Sequence, residues 1–178
     1  MTEPFIIPCL NTDRLLLRPF NRDDLEPFAA MVADPEVIQK ATYDGTVMTR
    51  AQAWNWLCLM LGHWHMRGHG IWAVEEKSSG ELIGRVGLQF LDWFEDVELV
   101  WMLARSVWGK GYASEGAAAA IAFGFEELAL DRIAAVIHQD NQPSIRLAER
   151  LGMKMEKEVT RQEIPFFQYV ITPPKSTG

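Results

Sequence analysis

The chain has 178 residues, 48% of them hydrophobic, and no internal repeat, so it is long enough to bury a core and reads as one domain over 1–178. Seventeen basic residues against 24 acidic give a net charge of −7, which disfavours a nucleic-acid or anionic-membrane surface and suits a cationic partner. Cys9 and Cys58 make no metal or redox spacing, and no apolar stretch is long enough to span a bilayer, so a reducing cytoplasm is the expected setting.

Residues 1–11 read as an N-terminal arm. Leu15, Leu16 and Leu17 predict a first strand over 14–20, closed by Pro19. Asn21 then offers a helix N-cap, and Leu25, Phe28, Ala29 and Val32 follow at helical spacing. Thr49 opens a longer helix. Its apolar face is read as Trp54, Leu57, Cys58, Leu61 and Trp64, and Trp56 adds a second apolar side before Gly68 and Gly70 stop it. His63, His65 and His69 lie near its end without a supporting ligand motif, so no metal is assigned. Strands are expected over 71–76 and 81–91, joined by a turn at 78–80. Gly84 and Gly87 inside the second of these signal a bulge or the close approach of another backbone.

A strand over 97–104, a helix over 113–128 and a strand over 132–137 form a βαβ crossover, so these two strands should run parallel. A short helix over 143–151 and paired strands over 153–159 and 166–171 complete the chain. Residues 173–178 are expected to fray. The sum is an α/β fold, a mixed and mostly antiparallel sheet with one parallel pair and helices on both faces.

The stretch between the crossover strand and its helix carries the strongest functional signal. Trp108-Gly109-Lys110-Gly111-Tyr112-Ala113-Ser114 places two glycines where a strand turns into a helix. The first N–H groups of a helix have no internal partners, and the dipole is positive there, so the turn can cradle a phosphate. A tight turn in which the glycines serve geometry alone explains the same pattern. The stretch lacks the Walker spacing and the third glycine of a dinucleotide fingerprint.

Residues 108–113, with Gly111 and Ala113 at the small positions of an Arg/Gln-x-x-Gly-x-Gly/Ala pattern, resemble the coenzyme A loop of the GNAT N-acetyltransferases. Trp108 departs from the polar residue of that pattern. The flanking text, from Val97 to Phe125, looks like the branch that includes the ribosomal-protein N-terminal acetyltransferases. The resemblance runs from Thr12 to about Met153. It implies a GNAT-like fold whose two parallel strands splay apart, with acetyl-CoA as cosubstrate entering the splay. It also implies coenzyme contacts from the main chain of Trp101, Met102 and Leu103, from the loop Trp108, Gly109, Lys110, Gly111, Tyr112, Ala113 and Ser114, and from Asn141. Asn141 has an independent reading as an N-cap.

Acetyl transfer to an amine needs a neutral nucleophile, a base and a proton source for the leaving thiolate. Glu98 is the one charge in the apolar run 97–104, and a carboxylate there should be desolvated and its pKa raised. It is the expected base, with a solvated strand entrance as the structural alternative. The tyrosine acid found in many relatives is absent, because Ala148 stands at that position. Ser144 is the nearby hydroxyl that could donate a proton, or simply stabilise a first helical turn. Asp44, Trp54, Trp93 and Phe94 are the expected acceptor-pocket wall. The expected function is N-acetylation of a primary amine, either a protein N-terminus or a small amine, by direct attack in a ternary complex. The alternatives are a non-catalytic coenzyme A-binding module and a transferase for another acyl-CoA, for which Arg105 would be the nearby cation. No nucleic acid, membrane or metal is expected, and monomer and homodimer both stay open.

Overall fold

The computed structural model of the chain describes residues 6–39, 41–42, 45–91, 94–161 and 163–174. Its strands are β1 (Leu10–Asn11), β2 (Leu15–Arg18), β3 (Ile71–Glu76), β4 (Glu81–Gln89), β5 (Glu98–Leu103), β6 (Ile133–His138), β7 (Lys154–Arg161) and β8 (Ile164–Ile171). They form one sheet in the order β1-β2-β3-β4-β5-β6-β8-β7. Neighbours run antiparallel except β5 and β6, the pair joined by the crossover. That pair meets at a single register position, Glu98 opposite Ala134, with the Ala134 amide donating to the Val97 carbonyl. Beyond it the strands part, as the resemblance implied.

The helices are α1 (Leu25–Val32), α2 (Pro35–Ile38), α3 (Arg50–Arg67), α4 (Tyr112–Glu126) and α5 (Gln142–Arg150). Local sequence sets their starts. Asn21 and Asp24 form a capping box at the 3-10 turn before α1. Thr49 and Gln52 form another on α3, which ends on Gly68 at φ +74°. Helices α1 to α3 cover the sheet face that presents Ile71, Ala73 and Met102. Helix α4 covers the opposite face, over Leu15, Leu17, Val74, Val86, Leu88, Leu99 and Leu103. Alternation along β3 and β5 therefore feeds two cores from single strands. Helix α4 is alanine- and glycine-rich because it lies close to the sheet. A Cβ on Gly124 would come within 2.7 Å of Ile133 Cδ1 and 2.9 Å of Leu88 Cδ1.

From Ile7 onward the N-terminal segment lies against this core. Ile7 is buried, the Pro8 carbonyl accepts from Trp72 Nε1 at 2.7 Å, and β1 pairs with β2. Trp64 at the end of α3 meets Trp72 edge to face, and Trp72 meets Phe123 of α4 in the same way. The chain-terminal strands do not simply follow β6. Strand β8 inserts between β6 and β7.

Both readings of the β4 glycines hold. The β3–β4 register shifts between Val74 and Glu75. At Gly87, a Cβ would sit 2.3 Å from the Gly70 carbonyl oxygen and 2.4 Å from Ile71 Cα. Backbone cannot move aside as a side chain can, so Gly87→Ala should destabilise the fold by about 1–3 kcal/mol through overpacking. Gly62→Ala, in α3 with nothing within 4 Å of its Cβ, should instead stabilise by about 0.5–1 kcal/mol. Urea unfolding of the two variants beside the wild type checks the contrast.

Candidate active site

Glu98 is the first residue of β5 and lies where β5 and β6 last touch. Its side chain is 3% exposed. Gln89, directly opposite on β4, donates through Nε2 to Glu98 Oε2 at 3.0 Å, and the Val136 amide of β6 also donates to the carboxylate. Burial pushes its pKa up to about 7, with the two hydrogen bonds and the charge of Arg85 opposing the rise. The solvated-entrance alternative is therefore wrong for Glu98. Two hydrogen bonds hold the carboxylate, and desolvation readies it to accept a proton near neutral pH.

A cavity of about 480 Å³ opens beside it. Trp56, Leu59 and Met60 of α3 form one wall. Val100 and Trp101 of β5, residues 135–138 of β6, and the start of α5 form the other. There Asn141 caps α5, its Oδ1 accepting from the Ser144 amide at 3.3 Å, and Ser144 Oγ accepts from Trp101 Nε1 at 3.2 Å. With an acceptor lone pair of Ser144 taken by the indole, its own O–H remains as a donor. Arg85 of β4 enters the cavity with its guanidinium over the Trp56 ring, 4.9 Å from the centroid.

The glycine loop forms the start of α4. Gly109 and Gly111 have φ of +79° and +82°, a conformation that glycine adopts without strain. Gly111 is the N-cap, and no side chain caps the helix, so its first amides face outward unpaired by the helix itself. Trp108 Nε1 donates to the Leu103 carbonyl at 2.8 Å and pins the loop to the end of β5. Tyr112 packs its buried ring under Arg14, 4.5 Å from the guanidinium carbon, and its hydroxyl donates to Glu76. Glu115, in the first turn of α4, accepts from Thr12 Oγ1 at 2.6 Å and pairs with Arg14 at 2.7 Å. The Arg14 guanidinium offsets its negative charge beside the helix start. Lys110 is exposed, and its carbonyl accepts from Arg14 Nη1 at 2.9 Å.

The structure brings Glu98, Trp101, Asn141 and Ser144 to one cavity. Met102 and Leu103 bury their side chains, so only their main-chain groups remain for a ligand. Two expected wall residues lie elsewhere. Trp54 is 43% exposed and does not line the cavity, because α3 is apolar on several sides and its inward face is Ala53, Leu57, Met60 and Trp64. Phe94 lies in a separate depression with Asp96 and Gln168, where Arg161 stands 5.1 Å from its ring. Asp44 and Trp93 fall outside the described residues. Arg105 is largely exposed and pairs with Asp34 at 3.4 Å, so it does not serve the cavity. The sequence reading missed Arg85, Gln89 and Trp56. Arg85 carried a signal like that of Glu98, the one charge within the apolar run 82–88 of β4.

Two of the histidines in this stretch, His63 in α3 and His69 just beyond it, lie against backbone. His63 Nδ1 lies 2.7 Å from the His69 carbonyl and His69 Nδ1 lies 3.1 Å from the Leu88 carbonyl. Burial lowers the pKa of His69. No helix among the described residues is long and apolar enough to cross a membrane.

Comparison with known proteins accords with this geometry. The family model for the acetyltransferase (GNAT) domain matches residues 14–154. Protein YkkB of Bacillus subtilis (strain 168) is 34% identical over 168 residues, covering 90% of this chain and 93% of its own. The crystal structure of an acetyltransferase from Agrobacterium tumefaciens str. C58 superposes with a TM-score of 0.83 at 30% identity, covering 97% of this chain and 99% of that one. RimL, a ribosomal L7/L12 alpha-N-protein acetyltransferase in complex with coenzyme A, shares the fold at a TM-score of 0.79 and 15% identity, over 93% of this chain and 98% of its own. With a matched domain over most of its length, a splayed parallel pair and a glycine loop at the adjacent helix start, the chain belongs to the GNAT acetyltransferase family.

Proposed function

We propose that this acetyltransferase moves the acetyl group of acetyl-CoA to a primary amine by direct attack in a ternary complex. The observation that carries the reading is Glu98, a buried carboxylate with its pKa near 7 at the closed end of the splay and in the wall of a cavity. The bound coenzyme supplies an activated thioester. The amides at the start of α4, which no side chain caps, suit its pyrophosphate, and RimL, with the same fold, is seen in complex with coenzyme A. The edge of β5 beyond Glu98 has no β6 partner, so its inner-edge main chain, at Trp101 above all, suits pairing with pantetheine amides, while the Leu103 carbonyl is taken by Trp108 Nε1 and Met102 pairs with β4.

Glu98 takes a proton from the ammonium or from the attacking amine, directly or through water. The nitrogen bonds to the acyl carbon and gives up its remaining extra proton to Glu98 or solvent, the C–S bond breaks, and the thiolate takes a proton from solvent, directly or through Ser144 Oγ, which donates its own and takes one back from solvent. Neither cysteine serves as a covalent relay, since Cys9 and Cys58 are both exposed and absent from the cavity wall. The acceptor is a protein N-terminus or a small amine, and the enzyme works in the cytoplasm.

Two results would test this. Gly111→Val should weaken acetyl-CoA binding at least tenfold by calorimetry, because a Cβ at φ +82° is strained and narrows the cradle. Unchanged affinity would mean that the loop is only a turn. Glu98→Gln should retain coenzyme affinity and lose about 10²-fold in kcat/KM. The wild-type rate should rise with pH to a plateau above an apparent pKa of about 7, and the variant should lack that limb. A wild type without turnover would favour the non-catalytic coenzyme-binding reading.

The same shift predicts stability. The pKa of Glu98 is raised on folding from 4.5 to about 7, so its penalty is absent below pH 4.5 and fully present above pH 7. Glu98→Gln should therefore gain stability relative to the wild type as pH rises across that window, by up to about 3 kcal/mol. Thermal unfolding at pH 4.5 and pH 8 measures it.

A further inference from the structure

Among the described residues, Arg85 is the buried charge in the cavity wall that the base and the coenzyme loop leave without a role. It sits on the central strand β4 with 6% of its surface exposed. Alternation places Arg85, Gly87 and Gln89 on the face shared with Met102, Val100 and Glu98 of β5, and Gly87 puts no side chain between them. The guanidinium stacks on Trp56. Its Nε has no hydrogen-bond partner among the described residues. The Glu98 carboxylate is held instead by Gln89 and the Val136 amide.

A buried guanidinium without an oxyanion is costly, and stacking on an indole offsets only part of that. Its planar fork matches a carboxylate. Position decides which ligand could bring one. Strand β5 stands between Arg85 and the β5–β6 opening, so Arg85 faces the α3 side of the cavity, away from the path of the coenzyme. The surroundings there are apolar, with Met48, Trp56, Leu59 and Met60.

We propose that Arg85 determines acceptor specificity, and that the acceptor is a small amine bearing a carboxylate, of amino-acid type, with an apolar remainder against Trp56, Leu59 and Met60. This rests on the acetyl-transfer reading above. The carboxylate on Arg85 turns the amine toward Glu98, and the same positive charge repels polyamine acceptors.

Acetylation rates of apolar amino acids and of their carboxamides, in the wild type, Arg85→Gln and Arg85→Lys, test the assignment. The wild type should favour the acid over the amide by tenfold or more in kcat/KM, mainly through KM. Arg85→Gln should bring that ratio close to one by losing far more rate on the acid than on the amide, both read on the high-pH plateau where Glu98 is ionised, and Arg85→Lys should keep part of it. Equal wild-type rates on acid and amide overturn the proposal and leave acetyl transfer intact. An equal loss on both, with a shifted pH profile, makes Arg85 only the counter-charge of Glu98 and also overturns it. Preference for succinyl-CoA that Arg85→Gln reverses would move the carboxylate to the donor and overturn it as well. If no amine is acetylated, the transfer reading fails, and calorimetry with N-acetyl amino acids against their amides decides the role of Arg85. Acid-selective binding lost in Arg85→Gln supports it, and unselective or absent binding overturns it.

Discussion

Everything at the site depends on the early parting of β5 and β6. Each strand is bonded along its length on its outer side, β5 to β4 from Glu98 to Leu103 and β6 to β8 from Ile133 to His138. Two half-sheets with their own twist thus meet at one position, Glu98 opposite Ala134, and then diverge. Inner-edge amides and carbonyls beyond that position must find a side chain, as the Val136 amide finds Glu98 and the Leu103 carbonyl finds Trp108, or water or a ligand. The gap also brings Ser144 and Asn141 of α5 beside Trp101 of β5. The glycine loop follows directly from the end of β5, where Trp108 is tied to Leu103.

The second constraint is the burial of two opposite charges in one wall. Burial raises the pKa of Glu98 to about 7 and lowers that of Arg85 to about 10, so near neutrality the arginine is charged and the carboxylate is poised between forms. The two are not closed into an ion pair, since the carboxylate oxygens are taken by Gln89 and Val136. A closed pair would have held Glu98 ionised and low in pKa, and both groups would then be structural. Their separation leaves one suited to proton transfer and the other to holding an anion. At the coenzyme end the opposite arrangement applies. Glu115, in the first turn of α4, is charge-paired with Arg14 and accepts from Thr12.

Much of this was legible in the sequence, for local reasons. Caps at Asn21, Thr49 and Asn141, the glycines at 109 and 111, and alternation along 97–104 are short-range properties, and each appears where the residues predict it. The crossover rule gave the parallel pair, and the lone charge at Glu98 marked the base candidate. Trp54 was expected to face a pocket because α3 is apolar on several sides. Periodicity selected a face near Trp54, whereas packing against α1 and the sheet turned Trp56 to the cavity and Trp54 to solvent.

The sequence by itself determined the elements from β2 onward, the mixed sheet, the loop that suits a phosphate and the residue best suited to act as base, but it read the stretch that holds β1 as an arm. Those follow from periodicity, capping and backbone conformation, which act over a few residues. Only the tertiary structure decided that β8 enters between β6 and β7, that Gln89 faces Glu98, and that Arg85 lies on Trp56 without an anion. These depend on strand register and on contacts between residues far apart in the chain, and no local pattern encodes which distant side chain will stand opposite.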